Sequence, residues 1–332
     1  MWASGWGRPG LVGALFVGFT ACSVTDYRQP ITTFATATQN AETALNSLNR
    51  EVTDAHAAQL RQKAIAGEAL VEKEGCLAES EHCSLNLHYR PKDNKPDEPL
   101  TPPAALGHMV ALMASITTYA DNLVTLVGAD TATKVTTNVN STLGSIGSLA
   151  STVETVGAAQ AKQANQPKPE KQPVDLSAFK TPVGDAASWI VGQYVASVKL
   201  EGLKRATTAA QPVIAKATNL LQFAAKQAAI EPRATMAEDV TQRFNAFESS
   251  RTQQNLQQLI QSANQLNQFL EAKPSDVFAK MNDAHKALTD QLQGKNVTLP
   301  EAIAKIETFA AEAESLSRIA KSFVAAASKK ET

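Results

Sequence analysis

The chain is poor in aromatic residues, which fill 5% of its 332 positions. Its apolar content leans instead on Ala, Leu and Val, small side chains that let helices approach closely. Charge of one sign is missing too: 31 Lys and Arg stand against 32 Asp and Glu. That balance excludes the broad basic face of a dedicated nucleic-acid binder, so no nucleic-acid partner is expected. Glycine disappears between Gly202 and Gly294 and again after it. No segment alternates apolar and polar residues for long enough to mark a strand, so the expectation is an all-α fold.

Catalytic signatures are also absent. The sequence holds no H-E-x-x-H, G-x-S-x-G, P-loop, G-x-G-x-x-G or C-x-x-C-H. The histidines are His56, His82, His88, His108 and His285, and only the pair at 82 and 88 lies close together. Di-iron bundles repeat Glu-x-x-His on two helices, and that pattern is missing. His108-Met109 opens an apolar run and is read as core rather than as a haem ligand pair. Acidic pairs such as Glu72 with Glu74, or Glu312 with Glu314, are read as solvated helix faces. No catalytic residue, cofactor or metal site is expected, and the chain is read as a non-enzyme.

What is present begins at the N-terminus. Arg8 is the only side-chain charge before Asp26, and Leu11 to Phe19 is an apolar run that closes on small residues. A positive start, a short apolar core and a small-residue exit make a secretory signal. The run is too short for a permanent membrane span, which takes about 20 residues. Its exit, Phe19-Thr20-Ala21-Cys22, resembles the lipobox of bacterial lipoproteins, with Phe19 where the family usually has an aliphatic residue. The resemblance covers about 25 residues and implies cleavage before Cys22 and lipid attachment, palmitate included, on that cysteine. In that family Ser23 after the cysteine implies the outer membrane, facing the periplasm. The competing reading is an ordinary signal peptide cut near Ala21, with Cys22 incidental.

The expected layout is a signal peptide over 1–21, a lipidated tether over 22–30 and a first helical part over 31–163. A Pro-rich stretch over 164–176 then leads to a second helical part over 177–332, either in the same bundle or in one of its own. Ile31, Phe34, Thr38, Ala41, Leu45, Leu48, Val52 and Ala55 make a heptad-like stripe. It predicts one helix from Ile31 to Lys73, about 65 Å long at 1.5 Å per residue. Residues 76–103 hold five prolines and read as a loop. Cys76 and Cys83 within it are the expected disulfide in an oxidising periplasm, worth about 2.5 kcal/mol for so short a loop. A metal site from Cys76, His82, Cys83 and His88 is the weaker alternative, because the spacing fits no usual zinc pattern.

Residues 104–163 are nearly uncharged and predict two helices inside a bundle. Gly144-Ser-Ile-Gly147 is read as a close helix contact. Trp189 and Tyr194 are read as packing on the bundle, with a membrane interface or partner groove as the alternative. Prolines 212, 232, 274 and 300 are taken to punctuate helices. Thr235-Met-Ala-Glu238 and Thr298-Leu-Pro-Glu301 fit the capping box. One helix is expected from about Ala234 to Lys273. The last helix is marked by two interleaved sevens: Leu299, Ile306, Ala313, Ala320 and Ala327 beside Ala302, Phe309, Leu316 and Phe323.

Together these features predict a bundle of six to eight helices, some with coiled-coil-like stripes, on a lipid anchor. The expected function is a non-enzymatic periplasmic binding or scaffold module with a protein partner in the cell envelope. Two alternatives stand beside it: a membrane-active helical protein using the weakly charged 104–160 region, and a carrier of a small ligand between helices.

Overall fold

The computed structural model describes residues 24–65, 69–73, 86–90, 98–99, 104–163, 191–228, 230–271 and 273–328. The fold is an all-α bundle with one small sheet. Its helices are α1 (Val24–Ile65), α2 (Ala104–Gly128), α3 (Ala132–Gln163), α4 (Val191–Ala228), α5 (Ile230–Ser249), α6 (Gln253–Glu271), α7 (Pro274–Leu292) and α8 (Leu299–Ser328). Between α1 and α2 lie three short strands, β1 (Ala69–Lys73), β2 (Asn86–Arg90) and β3 (Glu98–Pro99). They pair antiparallel in the order β1-β2-β3, with Val71 opposite His88 and His88 opposite Pro99.

Helices α1, α2, α3, α4, α7 and α8 share one hydrophobic core. The stripe read along α1 is buried from Ile31 through Phe34, Thr38, Ala41 and Leu45. On α3, Val139, Leu143, Ile146, Leu149 and Val153 all face inward, as their helical spacing predicts. Residues from both sides of the Pro-rich stretch meet in this core: Leu126 of α2 and Val139 of α3 lie against Gly202 of α4.

Several boundaries differ from the sequence expectation. The first helix runs from Val24 to Ile65 rather than from Ile31 to Lys73, so part of the expected tether is helical, with Val24 and Tyr27 in the core. β2 and β3 fall in the stretch read as a loop, and Ala69–Lys73 is a strand. The heptad stripe had no residue left to mark that change, apart from Gly67 in the sequence. The helix expected over 234–273 is two helices, α5 and α6, folded back on each other. Thr235 therefore lies inside α5, which starts at Ile230, rather than at a helix start. Pro212 does not start a helix either; it sits exposed inside α4. There its missing N–H removes one helical hydrogen bond without a clash against the core. Pro274 and Pro300 do occupy first turns.

Two termini are built as the chemistry dictates. At the start of α8 the Thr298 amide donates to Glu301 Oε2 at 2.7 Å, and the Glu301 amide reaches back to Thr298 Oγ1 at 3.4 Å. That is the reciprocal capping box, and the Thr298 amide and hydroxyl, both donating to Glu301 Oε2, hold its carboxyl below its usual pKa. α7 ends in a Schellman turn: Lys295 N–H donates to Asp290 O at 2.9 Å and Gly294 N–H to Gln291 O at 3.0 Å. Gly294 takes a φ of 70°, which costs a glycine little.

Candidate functional site

Two places stand out once the core is accounted for: a buried polar array in the bundle, and an apolar face outside it.

The array is centred on His285 in α7. Phe278, Met281, Leu288 and Leu292 follow one another at helical spacing along the buried side of that helix. His285 fills the missing place in the stripe and is fully buried. Its Nε2 lies 2.8 Å from the Tyr119 hydroxyl of α2, and its Nδ1 lies 2.5 Å from Gln211 Oε1 of α4. Gln211 Nε2 in turn donates to Asn282 Oδ1 at 3.3 Å. Phe34 of α1 lies against the array, its ring centroid 5.9 Å from that of His285, and Phe309 of α8 lies behind it at 5.6 Å from Phe34.

Burial pushes the His285 pKa down to about 3, and it drives the Tyr119 phenol well above its usual value. Both groups are therefore neutral over the ordinary pH range. One tautomer satisfies every atom: Nδ1–H donates to Gln211, and Nε2 accepts from Tyr119. Each ring nitrogen is already bonded within the protein, so the array is arranged to hold three helices together. An open groove of about 450 Å³ lies elsewhere, between α1 and α8. Its lining includes Thr32, Thr33, Thr36, Asn40 and Glu314 and no member of the array.

α7 carries other polar ties of the same kind. The Tyr27 hydroxyl of α1 donates to Gln291 Oε1, and Gln293 Nε2 just beyond α7 donates to Thr208 Oγ1 of α4 at 2.7 Å. Asp290 binds both Lys286 and Lys295, the latter at 2.9 Å, and its carboxyl is held below the usual range chiefly by the Lys286 ammonium.

The second place is the α5–α6 hairpin. Among the described residues, none of either helix belongs to the core cluster. Side-chain bonds fix the hairpin's register: Ser262 Oγ to Asp239 Oδ2 at 2.7 Å, Arg243 Nη1 to Gln258 Oε1 at 3.0 Å, and Asn255 Nδ2 to Ala246 O at 3.2 Å. Ser262 and Phe269 are buried, whereas Phe244 (51% exposed), Leu256 (40%), Ile260 (51%) and Leu270 (42%) face outward.

The residues singled out from sequence fare unevenly. Phe19, Thr20, Ala21, Cys22, Ser23, Cys76, His82, Cys83 and Trp189 all lie outside the described residues. The lipid site, the disulfide and its metal alternative therefore have no structural counterpart here. Met109 is buried, in keeping with core packing of the His108-Met109 pair. His108 itself is partly exposed, and its Nδ1 is buried without a hydrogen-bond partner. Glu314 is solvent-exposed and Glu312 partly so. Gly144 makes no close helix contact, since a methyl there would meet nothing within 4 Å. The close approach is at Gly202, where a Cβ would lie 2.7 Å from Val139 Cγ2. Among the described residues no group of three or more His, Cys, Asp or Glu is placed to hold a metal ion.

Compared with known proteins, the chain matches no family model, no curated protein and no solved structure.

Proposed function

We propose that this chain is a lipid-anchored lipoprotein of the outer membrane, facing the periplasm, whose helical body is a non-enzymatic binding or scaffold module for another envelope component. The address rests on Phe19-Thr20-Ala21-Cys22 and on Ser23. The binding role rests on one observation: the α5–α6 hairpin stands outside the shared core with Phe244, Leu256, Ile260 and Leu270 turned outward. Exposed apolar residues gathered on one projecting element mark a contact surface more readily than the same residues scattered singly.

The membrane-active alternative draws less support. The stretch Gly107–Gly128 is long and apolar enough to cross a bilayer, but half of its window is buried. Met109, Leu112, Met113, Ile116, Leu123 and Leu126 pack inside the bundle, so exposing them to lipid would empty the core. The carrier alternative would need an enclosed cavity, and the α1–α8 groove, lined by small Thr and Ala side chains with Gln29, Asn40 and Glu314, is open to solvent.

Two measurements test the proposal. Intact mass of the membrane-extracted protein should begin at Cys22 and carry two or three acyl chains, and Cys22→Ala should abolish both. A photo-crosslinking residue placed at Phe244 or Leu256 in intact cells should give a discrete adduct. An unacylated chain would remove the anchor, and adducts confined to positions off the hairpin would remove the binding surface.

A further inference from the structure

The outer stripe of α6 reads as half of a coiled coil. Leu256, Ile260, Ala263, Asn267 and Leu270 follow one another at spacings of four, three, four and three. None of the five is buried, while the neighbouring positions Ser262 and Phe269 are. In heptad notation Leu256, Ala263 and Leu270 take d, and Ile260 and Asn267 take a. A β-branched residue at a with Leu at d favours two parallel strands, and a single Asn at a fixes register and strand number.

Charge points to the same occupant. From Gln253 to Leu270 the helix carries no ionisable residue, the flanking charges being Arg251 and Glu271. Its polar positions are mostly Gln and Asn, whose amides both donate and accept hydrogen bonds. A face of amides is complementary to a copy of itself, whereas a face of like charges would repel its copy. Nothing on this stripe selects a charged partner.

We infer that the α5–α6 hairpin pairs with the hairpin of a second copy of this chain, α6 against α6 in parallel. The pairing places Ile260 against Ile260 and Asn267 against Asn267, so the two amides bond each other. An antiparallel pairing centred on Ala263 would set each Asn267 beside Leu259 and Ile260 of its copy and leave both amides facing apolar side chains, which is costly. Ala263, small and central, lets the two helices come close. With α5 on each flank the product is a four-helix assembly joining two bundles. This inference rests on the reading of the hairpin as a binding surface and names its partner.

Sedimentation equilibrium of the full chain in density-matched detergent tests it. A reversible monomer–dimer equilibrium is expected. Ile260→Glu should raise the dissociation constant by about tenfold or more, with the helical circular dichroism unchanged because the position is exposed. Ile260→Lys should do the same. Mixing the Glu and Lys variants should restore dimers, a recovery that a misfolded chain would not give and that requires position 260 to face its own copy. A dimer insensitive to Ile260→Glu, or a mixture that stays monomeric, would overturn the inference. A monomeric chain whose hairpin cross-links to a different protein would overturn it and leave the binding reading standing. A monomeric chain with no hairpin adduct would remove both.

Discussion

The Tyr119 hydroxyl lies 2.8 Å from His285 Nε2 at the centre of the bundle, tying α2 to α7 through two neutral side chains. The native imidazole is held neutral by burial down to about pH 3, whereas an unfolded histidine titrates near 6.5. Between those two values the unfolded chain binds a proton that the native chain does not. Stability from this group is therefore complete above pH 6.5 and is lost as the pH falls toward 3. The slope is about 1.4 kcal/mol per pH unit, or about 2 kcal/mol between pH 7 and pH 5. Urea unfolding at those two pH values, run beside His285→Gln, isolates this term from the other histidines. The difference between pH 7 and pH 5 should shrink by about that amount in the variant; equal differences in the two proteins would mean that His285 is protonated in the native state. Tyr119→Phe, which leaves Nε2 buried with no donor, should cost about 1–3 kcal/mol at pH 7.

Gly202 and Gly294 should respond to alanine for opposite reasons. At Gly202 the new methyl would stand 2.7 Å from Val139 Cγ2, a buried and rotationally stiff side chain. Overpacking of that kind costs about 1–3 kcal/mol, against about 1 kcal/mol gained in helix propensity. A net loss in thermal stability is expected, turning to a gain when Val139→Ala supplies the space. At Gly294 nothing lies within 4 Å, so only the φ of 70° opposes a side chain. Gly294→Ala should cost about 1 kcal/mol, and no second-site truncation should recover it. Calorimetry of the single and double variants distinguishes the two cases.

How much of this was legible in the sequence depends on whether a local signal marked each feature. α8 was fully marked, by two interleaved sevens and by a Thr298–Glu301 box that the structure forms bond for bond. The stripes of α1 and α3 were marked by spacing and are buried as read, through Leu45 on α1. The break between α5 and α6 carries neither Gly nor Pro. It is made by Thr252, whose hydroxyl accepts from the Asn255 amide at 3.2 Å, and by Asn255, whose side chain holds the Ser250 carbonyl at 2.7 Å. A Ser-Ser-Arg-Thr stretch was the available cue. β1 is too short for alternation to show. His285 was visible as the one polar place in a stripe of Phe278, Met281, Leu288 and Leu292, but its partners Tyr119 and Gln211 lie 166 and 74 residues away. Only the packing of α2 and α4 against α7 brings them together. Along α6 the spacing of Leu256, Leu259, Ala263, Leu266 and Leu270 marks an apolar side, yet which face of the helix is covered is a matter of tertiary structure.

The hairpin should open independently of the bundle. Asn255 bonds both the Ala246 and Ser250 carbonyls and so pins the turn, while among the described residues neither α5 nor α6 contributes to the shared core. Asn255→Ala should speed amide hydrogen exchange across α5 and α6 by about tenfold, the equivalent of about 1.4 kcal/mol of local stability, and leave α2 and α7 unchanged. Faster exchange spreading into α2 would show that hairpin and bundle unfold as one unit.

The last expected outcome concerns α2, the most apolar helix. By length and composition it could serve as a membrane span, and the weakly charged stretch through α3 could make a hairpin with it. The side chains argue otherwise. Met113, Ile116, Tyr119, Leu123 and Leu126 are each fully buried, and Tyr119 is bonded to His285 in α7. Insertion would require separating α2 from α1 and α4, stripping those residues of their packing and leaving His285 Nε2 without its donor. Burying a side chain of this size is worth about 1.5–3 kcal/mol, so the bundle holds α2 by several such increments. The full chain should therefore leave dye-loaded anionic vesicles intact at pH 7, and Tyr119→Phe, which loosens only one tie, should leave them intact as well. Dye release by the unmodified chain would show that α2 leaves the core at a cost the lipid repays, and would move the membrane-active reading ahead of the scaffold.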